Sequence, residues 1–347
     1  MRNVNNNDCC GQGNRIGPIS RRRALAVGGS TLVASMAGCL GGVDSGGGEF
    51  PSETIRTVIA FGEGGGTDIY ARKIWGKVSE QRDVTVEFDN VPGAGGMTGA
   101  SEFVTSEPNG HTIAPFNAPG DIIPSLIQDV NFSFENFRGI AGHAVEPFVI
   151  VSNPDEEVED FEDMASRYRN GEFKSFAGMQ PGTQFNVVAT ILKENTEFDI
   201  PWESYIPYDG SGGIGQAVAG GEVPVGIITV TTAEEMSDRL DIVVGLVDEE
   251  IAAFPDVDTV GDFGYPSLDY IGKITRVTYA PPETPDEHVE WLDSAAEEAI
   301  TSDELQSWAD EGGLHLEYMG GPDYVDQLTK DAMENIRNEI DLEQFRD

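Results

Sequence analysis

Short apolar runs and helically spaced apolar residues alternate along the chain from residue 54 onward, and glycine-rich loops join them. The run 54–61 predicts a buried strand, and the apolar spacing over 69–78 predicts a helix after the glycine loop 62–68. Asp68 is placed to cap that helix. The same order recurs in a strand at 84–88, a glycine loop at 92–96, a helix around 100–104 and a strand at 111–116. This repetition predicts a parallel α/β sheet.

The rest of the chain continues this order and then becomes helical. Further strands are predicted at 147–151, 173–177, 206–208, 223–230, 242–247 and 271–280. Further helices are predicted at 161–168, 185–193, 214–219, 288–300, 303–311 and 324–345. Two extended crossings, near 148–151 and 271–280, suggest two lobes with a ligand cleft between them. Lobe 1 would comprise 54–150 plus 272–347, and lobe 2 would comprise 151–271.

The first 38 residues are expected to be an export signal. A polar, arginine-containing start leads to Ser20-Arg-Arg-Arg-Ala-Leu25, which resembles the twin-arginine pattern. The mildly apolar stretch 24–37 that contains the end of this string is shorter than the roughly 20 residues that a membrane span needs. These features predict a signal peptide over 1–38.

The signal ends in Met36-Ala-Gly-Cys39, which resembles a lipobox. We therefore expect Cys39 to be lipidated and to become the N-terminus of the mature protein. The alternative is a plain signal followed by an incidental cysteine. Residues 39–53 are rich in glycine and would form a flexible tether. The expected location is extracytoplasmic, on the outer face of the cell membrane.

Acidic residues are spread through the whole chain and change the list of candidate functions. There are 61 Asp and Glu against 21 Lys and Arg, so the formal net charge is −40. That charge argues against nucleic acid as a partner. At molar salt the Debye length falls to about 3 Å, which screens such self-repulsion. The composition therefore favours a salt-adapted organism, with dedicated repulsion of anions as the weaker alternative.

Catalytic and cofactor motifs are scarce. The chain contains no HExxH, no CxxC and no P-loop, and Ser211 lies in Gly-Ser-Gly rather than in a G-x-S-x-G elbow. The glycine loops also depart from the dinucleotide-binding pattern. We expect no enzyme activity, no cofactor and no metal site.

Three glycine-rich loops each follow a strand and precede a helix. Such loops expose backbone N–H groups, and the helix dipole adds partial positive charge, so they bind anions without a cationic side chain. A single loop of this kind is more simply explained as a tight turn. Three of them in series favour recognition of a carboxylate.

Several segments, in order along the chain, resemble the TctC/Bug family, the extracytoplasmic solute-binding proteins of tripartite tricarboxylate transporters. They are FGEGGGTDIYAR (61–72), NVPGAGGMTGA (90–100), PNGHTI (108–113), PYDGSGG (207–213), AGGEVPVGI (219–227), FPDVDTVGDFGYP (254–266) and APPETPDEHV (280–289). The resemblance implies a type II periplasmic-binding-protein fold, with two α/β lobes that close on a carboxylate ligand. It also implies membrane permease subunits as partners, and we expect a monomer.

The resemblance further implies which residues bind the ligand. The two loops of lobe 1 would hold one carboxylate, and two segments of lobe 2 would hold the rest of the ligand. The ligand-binding residues implied are Gly64, Gly65, Gly66, Thr67, Asp68, Gly93, Ala94, Gly95, Gly96, Gly182, Thr183, Tyr208 and Ser211. Asn186, Asp209 and Pro224 depart from the family pattern, so the distal half of the pocket is altered and the identity of the ligand stays open.

Arg276 is a further candidate, because it is a cation in an otherwise apolar or β-branched segment, 271–280. Strand alternation places Arg276 on one face with Ile274 and Thr278. Arg276 either grips a ligand carboxylate in a bidentate fork or forms a surface salt bridge. Alternation does not decide which face meets the cleft.

The leading functional hypothesis is a lipid-anchored receptor that captures a small organic acid, a di- or tricarboxylate or a related compound, for a membrane permease. A secreted two-lobe enzyme, such as a hydrolase, is the first alternative. A receptor that presents its ligand to a membrane sensor is the second.

Overall fold

The computed structural model describes residues 50–345. The predicted signal peptide, Cys39 and most of the predicted tether lie outside the described residues. The strands are β1 (Ile55–Ile59), β2 (Val86–Asn90), β3 (Thr112–Ala118), β4 (Arg138–Ser152), β5 (Ser175–Met179), β6 (Ser204–Tyr208), β7 (Val225–Thr229), β8 (Asp241–Gly245) and β9 (Lys273–Ala280). The helices are α1 (Gly66–Arg82), α2 (Met97–Phe103), α3 (Ile122–Ile127), α4 (Phe161–Arg169), α5 (Gln184–Glu194), α6 (Ser211–Ala219), α7 (Val230–Glu235), α8 (Asp286–Ile300), α9 (Asp303–Glu311) and α10 (Pro322–Glu339). Among these residues no helix is both long and apolar enough to cross a membrane.

The strands form one mixed sheet in the order β2-β1-β3-β9-β4-β7-β5-β6, with β8 also paired to β4. β1 is parallel to β2 and β3, and β5 is parallel to β6 and β7. β4 and β9 run antiparallel to their neighbours. The expectation of a parallel sheet is therefore corrected. These two antiparallel strands, β4 and β9, lie in the middle of the sheet. A simple repeat of strand, loop and helix would not place antiparallel strands there.

β4 is long enough, at 15 residues, for its two parts to pair with strands on opposite sides of the sheet's middle. Its residues Arg138 to Pro147 pair with β9, and Phe148 to Ser152 pair with β7. We call β1, β2, β3 and β9 the first half of the sheet, and β5 to β8 the second half. The chain crosses between the halves at Pro147 and at Lys273, which pair with each other. Both predicted crossings are thus parts of β4 and β9.

The two faces of β9 pack against different helices. On one face the buried Tyr279 hydroxyl lies 2.6 Å from Thr329 Oγ1 of α10, and the Tyr279 ring packs against Phe116 and Phe134. On the opposite face the Arg276 guanidinium lies 4.9 Å from the centre of the Tyr70 ring of α1. Alternation along the strand therefore separates the aromatic core from Arg276 and directs Arg276 toward the start of α1.

Candidate ligand-binding site

The first glycine loop joins β1 to α1. Gly64 adopts φ +77°, a left-handed conformation that favours glycine, and Gly65 is the N-cap residue of α1. The first in-helix bond runs from Ile69 N to Gly65 O. The first N–H groups of a helix have no acceptor within the helix itself. The N–H groups of Gly66, Thr67 and Asp68 also have no backbone acceptor elsewhere within residues 50–345.

Asp68 shapes this loop from inside the helix. Its carboxylate accepts hydrogen bonds from Gly64 N, Asn90 Nδ2 and Arg72 Nε, each at 2.9 Å. Burial works to raise the pKa of Asp68, but these hydrogen bonds outweigh it and hold the pKa below its usual value. The expectation that Asp68 caps α1 is wrong in detail, since Gly65 is the N-cap and Asp68 reaches back to the loop from the third helical residue.

The second glycine loop joins β2 to α2 through a 3₁₀ turn, Ala94–Gly96. All four of its predicted site residues have positive φ, from +49° at Ala94 to +136° at Gly93. Gln128 donates to Ala94 O at 3.2 Å, and a Cβ placed on Gly95 would lie 3.7 Å from Pro124 Cγ. The loop is therefore supported by α3, a helix that the sequence pattern did not predict.

A loop of the second half repeats the design of the first glycine loop. Gly182, with φ +77°, donates its N–H to Asn186 Oδ1 at 3.1 Å, as Gly64 does to Asp68. Thr183 is the N-cap residue of α5, and the first in-helix bond runs from Val187 N to Thr183 O. Asn186 is thus the counterpart of Asp68, and this departure from the family pattern holds the shape of the loop.

The remaining predicted residues lie at the start of α6. Ser211 Oγ accepts from Thr229 N at 2.9 Å, and Gly210, with φ +98°, is the N-cap residue. The Tyr208 hydroxyl donates to Glu222 at 3.4 Å. Asp209 accepts from Gln180 Nε2 at 3.1 Å, which ties this segment to the loop before α5.

Each of these four loops lies close to another of the set or to α3. A Cβ on Gly96 would lie 3.2 Å from Phe61 of the first loop. A Cβ on Gly182 would lie 3.9 Å from Ile127 of α3, the helix that also supports the second loop. The structure therefore brings the predicted segments together, although they come from residues far apart in the chain.

Arg276 lies beneath the first loop in a buried ion pair. Its Nη2 donates to Glu146 Oε2 at 2.5 Å, and its Nη1 donates to Asn117 Oδ1 at 3.0 Å. Only 10% of the Arg276 side chain and 13% of the Glu146 side chain are exposed. A Cβ on Gly66 would lie 2.7 Å from Arg276 Nη2, so the guanidinium rests against the start of α1. The alternative of a surface salt bridge is therefore wrong, while contact with a ligand stays a prediction.

A buried polar network surrounds Arg276 and was not predicted from the sequence. Asn117 donates to Thr67 Oγ1 at 3.0 Å and, through its backbone N–H, to Asp121 Oδ2 at 2.6 Å. Burial raises the pKa of Asp121 to about 7, against the opposing effects of the Asn117 hydrogen bonds and of the Arg276 charge. Burial, and then the charge of Arg276, lower the pKa of His143 to about 3, so His143 is neutral at pH 7.

Gln184, the first residue of α5, links the second half to the crossing into β9. Its Nε2 donates to Ile271 O at 2.7 Å and to Lys273 O at 2.8 Å.

The sequence carries only weak signals for the buried polar residues around Arg276. Glu146 is a lone carboxylate in an apolar strand, and Asp121 follows a predicted strand by a few residues.

The mixed α/β sheet is that of a periplasmic binding protein, since the chain resembles the solved periplasmic binding protein BugD at a TM-score of 0.68 and 21% identity, covering 83% of this chain and 98% of BugD. Residues 70–342 match the family described as "Tripartite tricarboxylate transporter family receptor". The chain belongs to this family and is a solute-binding receptor of a tripartite tricarboxylate transporter. The predicted fold, the family resemblance and the expectation of a binding protein rather than an enzyme are thereby confirmed.

Individual relatives agree with this assignment. The chain is 26% identical over 289 residues to a UPF0065 protein of Bordetella pertussis, covering 82% of this chain and 85% of that protein. It resembles MatC of Rhodopseudomonas palustris with bound malate at a TM-score of 0.70 and 21% identity, covering 83% of this chain and 99% of MatC. It resembles R. palustris Rpa4515 with adipate at a TM-score of 0.69 and 18% identity, covering 84% and 97% of the two chains.

Proposed function

We propose that this receptor captures a small organic acid between two lobes, formed by 54–150 with 272–347 and by 151–271, and delivers it to membrane permease subunits. The observation that carries the proposal is that four glycine loops, two from each half of the sheet, lie close to one another or to α3. The structures of MatC with malate and of Rpa4515 with adipate support a carboxylate as the ligand class.

Backbone N–H groups would supply most of the attraction for the carboxylate. The N–H groups at the start of α1 have no backbone acceptor within residues 50–345, and the dipole of this long helix adds partial positive charge. Hydrogen bonds to a charged group contribute about 1.5–3 kcal/mol each. Ala94 and Gly95 present further N–H groups of this kind from the second loop.

Closure of the lobes would occur at the crossing of β4 and β9. Within the described residues the chain passes between the halves of the sheet twice, at Pro147 and at Lys273. Small dihedral changes there would swing one half toward the other, and the ligand would select the closed arrangement. Gln184 touches this crossing directly, which couples the start of α5 to the hinge.

The proposed location is extracytoplasmic, with a lipid anchor at Cys39 after twin-arginine export in a salt-adapted organism. Support comes from the arginine-rich start, the Met-Ala-Gly-Cys ending and the net charge of −40. Cys39→Ala is expected to release the protein from membranes or to block its maturation. Membrane fractionation and intact mass measure this, and unchanged mass with unchanged membrane retention would refute the anchor.

Calorimetric titration at high salt with malate, adipate and citrate tests the capture of an organic acid. Gly66→Ala is the informative variant, because its Cβ would lie 2.7 Å from Arg276 Nη2. Gly62→Ala is the matched control, since a Cβ there meets no atom within 4 Å among the described residues. We expect Gly66→Ala to weaken binding at least tenfold and Gly62→Ala to leave it unchanged. Equal affinities would place the ligand away from this loop.

A further inference from the structure

Gln184 lies at the corner where the two halves of the sheet meet, and its side chain is held in one orientation. It opens α5 of the second half and is 3% exposed. Its Nε2 uses both hydrogens at the chain crossing, on Ile271 O at 2.7 Å and on Lys273 O at 2.8 Å. The reversed amide would set its oxygen against two carbonyl oxygens, so the direction of Oε1 is fixed.

The Oε1 atom of Gln184 is a buried acceptor that receives no hydrogen bond from any residue the structure describes. It lies against the first half of the molecule, 3.0 Å from the position that a Cβ would take on Gly120. Gly120 is in the turn between β3 and α3. Because buried acceptors are normally satisfied, and one without a donor costs free energy, this oxygen calls for a partner.

Gly120 offers the matching donor. Its backbone N–H has no acceptor within residues 50–345, whereas the next N–H, that of Asp121, donates to Asn117 O at 2.8 Å. The φ of Gly120 is outside the left-handed region, so its conformation alone does not call for glycine. The position requires space instead, because a Cβ there would hold the amide oxygen of Gln184 away from the backbone. An unused acceptor of one half thus lies beside an unused donor of the other.

We propose that Gln184 is a closure latch, whose Oε1 accepts the N–H of Gly120 when the two lobes close. This inference rests on the proposed capture of an organic acid between closing lobes, and it concerns the motion rather than the identity of the acid. The latch adds a hydrogen bond to the closed arrangement alone, since both Nε2 bonds are already made in the present one. It therefore raises the population of the closed state and the apparent affinity without touching the ligand.

Hydrogen exchange of the Gly120 amide, followed by nuclear magnetic resonance, reads this bond directly. The probe is whichever of malate, adipate and citrate binds the wild-type protein most tightly at high salt, used at saturation for each protein. We expect the Gly120 N–H to exchange at least tenfold more slowly with the acid than without it, while the Asp121 N–H stays protected throughout. In Gln184→Met, saturated with the same acid, this slowing should be lost.

Three results of the exchange experiment would overturn the latch and leave the proposed function standing. The first is a Gly120 N–H that is already protected without the acid. The second is no slowing when the acid binds. The third is a slowing that persists in Gln184→Met, because the ligand itself would then cover the amide. Binding of none of the three acids would overturn the proposed function and this inference with it.

Affinities of two variants and their combination measure what the latch contributes to binding. Gln184→Met removes the acceptor, and Gly120→Ala places a methyl group against it. Each should weaken binding at least fivefold. The double variant should bind about as weakly as the weaker single variant, because both changes remove the same bond. If Gln184→Met does not fold, Gly120→Ala keeps both Nε2 bonds and carries the affinity and exchange measurements alone.

Matched controls separate the latch from general effects of the same substitutions. Gln306→Met also removes an Nε2 that donates to two backbone carbonyls, Ile300 O at 2.8 Å and Leu316 O at 3.2 Å, but at α9 rather than at the crossing. Gly76→Ala adds a Cβ that meets no atom within 4 Å among the described residues. Both controls should bind as the wild-type protein does. Unchanged or strictly additive affinities in the folded test variants would show that Gln184 only supports the crossing.

Discussion

Backbone conformation, more than space, limits which residues can occupy the second glycine loop. Gly95 has φ +64°, while its nearest neighbours would stand 3.7 Å or more from a Cβ. A side chain there would meet ordinary contacts but an unfavourable dihedral, which costs roughly 1–2 kcal/mol for a non-glycine residue. The loop therefore depends on glycine for its shape.

Gly95→Val should abolish ligand binding while the protein stays folded at high salt. A β-branched residue tolerates left-handed φ poorly, so the loop would relax and move its N–H groups away from the ligand. Gly95→Asn is the control, because asparagine accepts this conformation more readily. Calorimetry measures binding, and circular dichroism checks the fold. Retained affinity in Gly95→Val would show that the loop is only a turn.

Removal of Arg276 should cost both affinity and stability. Arg276→Gln leaves the Glu146 carboxylate, with 13% of its side chain exposed, without its guanidinium partner. Breaking a buried pair from one side costs about 3–5 kcal/mol. The double variant Arg276→Gln with Glu146→Gln removes both charges and should recover part of that loss. Urea unfolding of the two single variants and the double variant measures the coupling, and additive losses would contradict a direct interaction.

At the level of elements, the pattern of apolar residues identified most helices and strands because each has a clear period. α9 was predicted with its observed bounds, Asp303–Glu311, and Ser302 caps it by accepting from Leu305 N. α10 ends at Glu339, earlier than the predicted 345, since Ile340 is extended and a separate 3₁₀ turn, Leu342–Phe345, follows.

The missed elements have local compositions that favour other structures. α7 begins with Val230 and two threonines, which are β-branched, and its helical state is supported by the Thr229 side chain accepting from Thr232 N.

In the candidate binding site, too, the local features could be predicted from the sequence and the long-range contacts could not. The glycine loops were visible as motifs, but the contact of Arg276 with Glu146 spans 130 positions in the chain and depends on how β4 pairs with β9.

The start of α3 carries a group that should make stability depend on pH. The folded-state pKa of Asp121 is about 7, above the ordinary value of 3.8, and the groups facing it are Asn117, Arg276 and Tyr279. The folded state therefore holds a proton that the unfolded state releases at lower pH. The stability that the folded protein gains from holding this proton on Asp121 is fully present below the pKa of Asp121 in the unfolded chain. This stability is lost as pH rises from about 4 to 7, by up to about 1.4 kcal/mol per pH unit.

Asp121→Asn should remove this part of the pH dependence. Urea unfolding of both proteins between pH 4 and pH 8, at one high salt concentration, gives the two stability profiles. Their difference isolates Asp121 because the other titrating groups are shared. The wild-type protein should lose stability relative to the variant as pH rises toward 7. Parallel profiles would show that Asp121 keeps an ordinary pKa in the folded protein.

The molecule as a whole carries far more carboxylates than cations can neutralise. With 61 acidic and 21 basic residues, full pairing of every lysine and arginine would still leave the net charge at −40. The ion pairs of the described residues are mostly exposed at the acidic partner, for example Glu304 and Asp286, whose side chains are 70% and 82% exposed. Such pairs contribute only about 0–1 kcal/mol each, so they do not offset the repulsion among the remaining carboxylates.

Salt should therefore stabilise this protein in proportion to how well it screens that repulsion. The Debye length falls from about 10 Å at 0.1 M salt to about 3 Å at 1 M, which is shorter than most distances between surface carboxylates. We expect the melting temperature at pH 7 to rise by several degrees between 0.1 M and 2 M sodium chloride, since each 1 kcal/mol corresponds to about 2–4 °C in a chain of 150–250 residues and to less in a larger one. Most of the rise should occur below 1 M, where screening changes fastest. Sucrose at matched osmolality favours burial without screening charge and serves as the control. An equal rise in sucrose, or no rise in salt, would show that the acidic surface is not what limits the stability of this receptor at low ionic strength.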